Sequence, residues 1–320
     1  MMAEHGLSRD VGAVTGRGRR SVNQDAVMAV SLAGGGELVA VADGMGGHSA
    51  GEVASRTALD VLRASVEAGN DLGKAVAAAN AAVYEEAGAL PGREGMGTTL
   101  VAVLRRGGHY TIANVGDSRA YRIDGSGVHQ ITSDHSFMAE AVGSGELTAE
   151  EAGASRWRNA VTRAVGTDRS VDVDCHGPFD AGEPHTILLC TDGLYRFVDE
   201  DVLAQTARES GPATAARGLA AAAYAAGSDD NISVAIVRYG AKSPAAADSA
   251  RSVLAAAPPS VMRGVRTVAP PSPDDDPAVR DRRRHRRRRP SRRWHTIELA
   301  AILLALLGVI VYVSILASVF

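Results

Sequence analysis

The stretch Leu38 to Val53, LVAVADGMGGHSAGEV, constrains this chain more than any other. An apolar, strand-forming run (Leu38, Val39, Val41) stops at an Asp-Gly pair and passes through a glycine-rich turn. It then enters a segment announced by Ser49 with Glu52 three residues on, the signature of a capped helix. A strand, a sharp turn and a helix follow from the pattern. Asp43, at the strand's end, can then face a cleft, and Gly44, Gly46 and Gly47 let backbone approach a ligand closely. Taken alone, an Asp-Gly pair marks a plain turn.

The pattern recurs, however. Apolar runs end beside a glycine and an acid again at Asp117 (NVGDSR) and Asp192 (LLCTDGL), and Asp229, Asp230 and Asn231 directly precede the last strand-like run, ISVAIVRY. Each acid has a bland reading as a turn or cap residue. If Asp43, Asp117, Asp192 and Asp230 converge, their mutual repulsion needs compensation, which hard divalent cations with water ligands supply. The expectation is a metal site.

Around these junctions the periodicity alternates between strand and helix. Val11 to Thr15 reads as a strand, followed by the loop GRGRRSVNQDA, where Arg17, Arg19 and Arg20 crowd a turn before Asp25. A guanidinium there could grip a phosphate by two parallel hydrogen bonds; a solvated basic loop is the competing reading. Ala26 to Leu32 resumes as strand, and helical spacing covers about 49 to 68 and 71 to 88. TTLVAVLRR, HYTIANVGDSRAYRID and GVHQIT then read as an antiparallel meander. Residues 133 to 168, with Trp157 and Arg163, carry short helical pieces that could cover a site. Strands at Val171 to Cys175 and His185 to Thr191, then helices at about 199 to 209 and 212 to 226, complete the body.

Charge separates that body from the C-terminal part of the chain. Residues 1–240 hold 20 basic against 31 acidic side chains, net −11, and residues 241–320 hold 14 against 6, net +8. An acidic body argues against nucleic acid as its partner and suits a site that gathers cations. Two cysteines, Cys175 and Cys190, without CxxC spacing fit a thiol-reducing cytosol, and Met1 to Asp10 is too polar for a signal peptide.

The segments RSVNQD, ADGMGG, MGTTL, VGDSRAY, LLCTDGL and DDNIS, in this order and spacing, resemble the metal-dependent serine/threonine protein phosphatases, the PPM family, in their bacterial membrane-anchored form. The resemblance covers residues 8–240. It implies an α+β fold, a four-layer αββα sandwich of two antiparallel sheets flanked by helix pairs, with a flap at about 134–168. It implies hydrolysis of phosphoserine and phosphothreonine in proteins by a bridging hydroxide at a binuclear Mn2+ or Mg2+ centre. Carried over residue by residue, Asp43 matches the acid bridging two ions, Gly44 a backbone carbonyl ligand, and Asp192 and Asp230 the acids completing the pair. Asp117 matches the acid that bacterial members use with Asp192 for a third metal, Arg20 the phosphate-binding arginine, and Asp25 an acid of the outer shell. Two departures stand out. Met45 occupies the place where some relatives carry a histidine as general acid, which leaves a metal-bound water, or His48, for that task; Gln24 stands where those relatives have an acid.

Two other readings compete. Cys190 to Arg196, CTDGLYR, meets the Cys-x5-Arg spacing of thiolate phosphatases, but Asp192 inside the loop would repel phosphate and raise the thiol's pKa. A catalytically idle, metal-binding phosphoprotein sensor is the other, although the chain keeps every acid named.

Residues 241–279, rich in Ala, Pro and Ser, read as a disordered linker. The segment 280–296 is polybasic, with ten arginines between Arg280 and Arg293, and 297–320 reads as a transmembrane helix, since Leu299 to Phe320 is uncharged and apolar over 22 residues. Arginines on the near side would keep the body cytoplasmic by the positive-inside rule, with Trp294 at the interface and anionic lipid as a partner. Membrane Ser/Thr kinases and their phosphorylated substrates are the expected protein partners.

Overall fold

The computed structural model describes residues 10–240 other than 34, 48, 90, 149, 152–154 and 156–159. The expected linker, polybasic segment and transmembrane helix, together with His48 and Trp157, lie outside the described residues. Among the described residues no helix is long and apolar enough to cross a membrane.

Strands β1 (Asp10–Gly16), β2 (Asp25–Ser31) and β3 (Glu37–Met45) lead into helices α1 (Ala50–Glu67) and α2 (Leu72–Ala89). Then come β4 (Gly97–Thr98), β5 (Leu100–Arg106), β6 (His109–Val115), β7 (Arg119–Asp124), β8 (Gly127–Gln130) and the short helix α3 (Phe137–Gly143). The order closes with β9 (Asp174–Asp180), β10 (His185–Cys190), α4 (Asp192–Tyr195), α5 (Glu200–Glu209), α6 (Pro212–Ala226) and β11 (Ile232–Tyr239). One sheet runs β1-β11-β10-β7-β8 and the other β2-β3-β5-β6-β9, every pairing antiparallel.

Strand parity assigns the layers. In β3, Leu38, Ala40 and Ala42 face α1 and α2 in one core, while Val39 and Val41 face the opposite sheet in a second. In β11, Ile232, Val234 and Ile236 join Leu203, Ala216 and Leu219 of α5 and α6 in a third core, and Ala235, Val237 and Tyr239 face inward. Helix pair, sheet, sheet, helix pair is the resulting order, as the resemblance implies. The core's alanines (Ala54, Ala58, Ala75 and Ala79 among them) let helices and sheet approach closely, which is how a chain with 4% aromatic residues fills its interior.

Three local expectations change. The stretch HYTIANVGDSRAYRID is not one strand of a meander: β6 pairs with β5 and β9 in one sheet, β7 with β10 and β8 in the other. The break comes at Gly116, whose N–H donates to His135 Nδ1 at 3.1 Å and whose carbonyl accepts from His135 N at 3.0 Å, so both its backbone groups leave the ladder. Ser49 precedes α1 without the expected side-chain cap bond, and Glu52 pairs with Arg56 at 2.9 Å instead. The strand expected at Val171 to Cys175 lies further on, at Asp174–Asp180.

Candidate active site

Because side chains alternate along β3, Asp43 continues the inward face of Val39 and Val41, past the point where the opposing sheet covers it. A cleft of about 680 Å³ opens there. Its walls bring together Arg20, Asp43, Gly44, Asp117, Asp192 and Asp230, drawn from five separate junctions of the chain. Asp25 is buried beside them as the cross-strand partner of Asp43.

Each acid is placed by backbone that has few alternatives. Asp43 N–H donates to Thr99 Oγ1 at 2.9 Å, and its carbonyl accepts from Thr99 N at 2.8 Å and Thr98 Oγ1 at 2.9 Å. Thr99 Oγ1 also meets Ser118 Oγ at 2.7 Å, which ties the end of β3 to the turn carrying Asp117. Asp192 opens α4 as its first residue, and Gly193 presses so closely on the next loop that an added Cβ would lie 1.9 Å from Asn231 O. An added Cβ on Gly44 would lie 2.0 Å from Gly51 O. Asn231 fastens the loop: its side chain donates to Arg17 O at 2.9 Å and Val22 O at 3.0 Å and accepts from Gln24 N at 2.8 Å.

Two guanidinium groups enter the acid cluster. Arg20 Nη2 donates to Asp230 Oδ2 at 2.8 Å and Nε to Asp229 O at 2.9 Å. Arg196 Nη2 reaches Asp117 Oδ2 at 3.3 Å and Asp192 Oδ2 at 3.2 Å. Asp25 Oδ2 accepts from Thr191 Oγ1 at 2.9 Å.

The electrostatics are those of an overcrowded carboxylate cluster. Burial, then the neighbouring charges of Asp25, Asp192, Asp117 and Asp230, hold the Asp43 carboxyl well above the usual carboxylate range. Burial raises Asp117 to about 7, with Asp192 adding to the shift, and lifts Asp25 to about 7 against the hydrogen bonds of Ser233 and Thr191. Asp192 is also raised by burial, partly countered by Arg196. Asp192 Oδ1 and Asp25 Oδ1 are buried without a hydrogen-bond partner. An all-oxygen donor set with crowded, under-compensated carboxylates fits hard divalent cations. Among the described residues no three acid, histidine or cysteine side chains close on a single point as a cage, so water would complete the shell, as Mg2+ prefers.

The departures also find places. Met45 lines the cleft. Gln24 lines it too and serves as a brace: its carbonyl accepts from Gly44 N at 3.1 Å and Ser55 Oγ at 2.7 Å, and its Nε2 donates to Gly46 O at 3.3 Å. Arg163, within the expected flap, donates to Asp174 Oδ1 at 2.7 Å and is not among the residues lining the cleft. Cys190 does not support a thiolate mechanism: it is fully buried in the core beneath α5 and α6, and burial pushes its thiol far above the usual range. Thr99, Thr191, Asn231 and Arg196 carry structural roles in the site that residue patterns alone did not assign. The signal for Thr99 was its position in MGTTL, and for Arg196 its i+4 spacing from Asp192.

Two antiparallel sheets between helix pairs, with an aspartate cleft at their junctions, define a metallophosphatase-type architecture. The chain belongs to the protein phosphatase 2C family, whose model matches residues 15–224. It is 35% identical over 223 residues to the serine/threonine protein phosphatase PstP of Mycobacterium tuberculosis (strain H37Rv), covering 68% of this chain and 42% of that protein. The chain thus matches less than half of that relative's length. The PPM Ser-Thr phosphatase MsPP of Mycobacterium smegmatis, crystallised with cacodylate, superposes with a TM-score of 0.63 at 37% identity, covering 71% of this chain and 97% of that one. The catalytic domain of PstP in complex with two manganese ions gives a TM-score of 0.64 at 31% identity, over 73% and 99%. Phosphatases of this family use Mn2+ or Mg2+.

Proposed function

We propose that the chain is a protein serine/threonine phosphatase that hydrolyses phosphoserine and phosphothreonine at a pair of Mn2+ or Mg2+ ions. The observation that carries the reading is the assembly of Asp43, Asp192, Asp230 and the Gly44 backbone in one cleft beside Arg20. The family match and the two manganese ions of the PstP catalytic domain support it, as does the cacodylate, a tetrahedral oxyanion, bound to MsPP.

The chain's own residues divide the work. Asp43, Asp192 and Asp230, with the Gly44 carbonyl as a neutral donor, would hold the two ions. When bound, such a pair supplies an acidified water as nucleophile and neutralises charge in the transition state. Arg20, half-exposed, can turn its free edge to the phosphoryl oxygens and fix the phosphorus for in-line attack. Asp25, buried as the cross-strand partner of Asp43, is tied to Thr191, the residue before Asp192, and so links the two acids' positions. Hydrolysis of a phosphothreonine peptide by the purified chain should require Mn2+ or Mg2+ and stop with EDTA. EDTA-resistant turnover would refute the metal mechanism, and metal binding without turnover would favour the idle sensor.

The body is further proposed to be tethered to the cytoplasmic face of the membrane through 297–320, with the 280–296 arginines against anionic lipid. Tethering raises the effective concentration of membrane-bound substrates, receptor-type Ser/Thr kinases and their targets among them. Deleting residues 280–320 should release the protein from membranes in cell fractionation and change its set of substrates. Unchanged location and substrates would refute the tether.

A further inference from the structure

We propose that Arg196 is a built-in cation that fills the position between Asp117 and Asp192, so that this chain holds two divalent ions and excludes a third there. The inference rests on the metallophosphatase reading above and goes beyond it, since Asp117 and Asp192 are the pair that the resemblance assigns to a third metal.

The geometry is specific. A single atom, Arg196 Nη2, lies 3.3 Å from Asp117 Oδ2 and 3.2 Å from Asp192 Oδ2. A divalent ion joining the same two oxygens needs ligand distances of about 2.0 to 2.1 Å for Mg2+, so ion and guanidinium nitrogen cannot share the gap. Asp192 is divided by this contact. Its Oδ2 is held by Arg196, while its buried Oδ1 has no hydrogen-bond partner and would be the oxygen left to help Asp43 and Asp230 hold the two ions.

Arg196 is also anchored against easy displacement. It caps α4, the turn that begins with Asp192 itself; its N–H bonds Asp192 O at 3.2 Å, and i,i+4 spacing folds the side chain back over the same residue. The Tyr195 ring beside it is covered by the Arg119 guanidinium at 3.7 Å, and Arg119 is fixed by Asp134 at 2.7 Å. A tethered monocation thus neutralises part of a carboxylate pair that would otherwise demand an ion from solution.

The test is a count of bound metal on the full chain, by calorimetric titration with Mn2+ and by Mn2+ paramagnetic resonance. Wild type should saturate at two ions per chain, and Asp117→Asn should leave the count at two. Arg196→Gln, which removes the charge and keeps the shape, should gain a third site that Asp117→Asn then abolishes; Arg196→Lys should stay at two. A wild type that binds three ions and loses one with Asp117→Asn would overturn the proposal without reference to any Arg196 variant. A folded Arg196→Gln chain that still stops at two would overturn it as well. A wild type that binds fewer than two ions would instead overturn the metallophosphatase reading on which the proposal rests.

Discussion

Arg20 and Arg196 reach into the same acid cluster from opposite ends of the sequence, and the contrast between them separates what the site offers to a substrate from what it keeps for itself. The Arg20 side chain is 52% exposed and pairs with an Asp230 that is itself 25% exposed, while Arg196 is 22% exposed and contacts carboxylates that are only 7% and 11% exposed. An exposed ion pair contributes about 0 to 1 kcal/mol, so Arg20 can be re-aimed at a phosphoryl group at little cost. Withdrawing Arg196 would leave two buried carboxylates uncompensated, a change in the range of about 3 to 5 kcal/mol. Identical guanidinium chemistry therefore gives a movable group at the mouth and a fixed counter-ion in the wall, and burial alone makes the difference.

The largest effect that can break this comparison comes from the acids both arginines touch or face. Asp43→Asn and Asp192→Asn should each lower kcat/KM on a phosphopeptide by about a thousandfold or more, roughly 4 kcal/mol of transition-state stabilisation. Circular dichroism should stay native, because relieving crowded carboxylates does not weaken folding. A tenth or more of wild-type activity in either variant would remove the ion pair from the mechanism and leave the arginines without a common purpose. Arg20→Ala ranks next. Losing a charge-assisted contact to phosphate should cost about 1.5 to 3 kcal/mol, a ten- to hundredfold fall in kcat/KM carried mainly by KM. Arg20→Lys should fall in between, since it keeps the charge without the fork. If Arg20→Ala changed kcat with KM untouched, Arg20 would be a wall residue like Arg196, and the contrast would collapse.

How much of this was legible in the sequence depends on the range over which each signal acts. Asp43, Asp192 and Asp230 were readable because each lies where an apolar run stops or starts, and strand periodicity is a local signal. The two helix pairs were readable to within a residue or two for the same reason. The change of sheet at Gly116 was not, because it is decided by His135, 19 residues away, which takes both backbone groups of that glycine. Convergence of the acids likewise came from the family resemblance and not from spacing: nothing local tells Asp117 that Asp192 lies across the cleft. Thr99 and Asn231 escaped assignment because their work is backbone bonding to partners 56 and 207 residues away. Arg196 was visible only as the end of a chance Cys-x5-Arg match. Its true partner, Asp192, lies inside that match, one helical turn before it.

That match also supplies the smallest expected effect, and it sharpens the comparison from the side of the wall. Cys190 lies two residues before Asp192 in the same strand-to-helix passage as Arg196, so a thiolate enzyme and a metal enzyme assign opposite roles to one short segment. The cysteine side chain packs with Leu188, Leu194 and Leu203 at 0% exposure, and burial raises its pKa far from neutrality, so it can neither meet a phosphate nor ionise to attack one. Cys190→Ser should leave kcat within about twofold of wild type, while placing a hydroxyl in an apolar core should lower stability by about 1 to 3 kcal/mol in urea unfolding. Iodoacetamide should be equally without effect on native turnover. A loss of activity in Cys190→Ser larger than its loss of folded protein, together with resistance to EDTA, would transfer the chemistry from the aspartates to the thiol. Arg196 would then be the phosphate ligand and Arg20 the bystander.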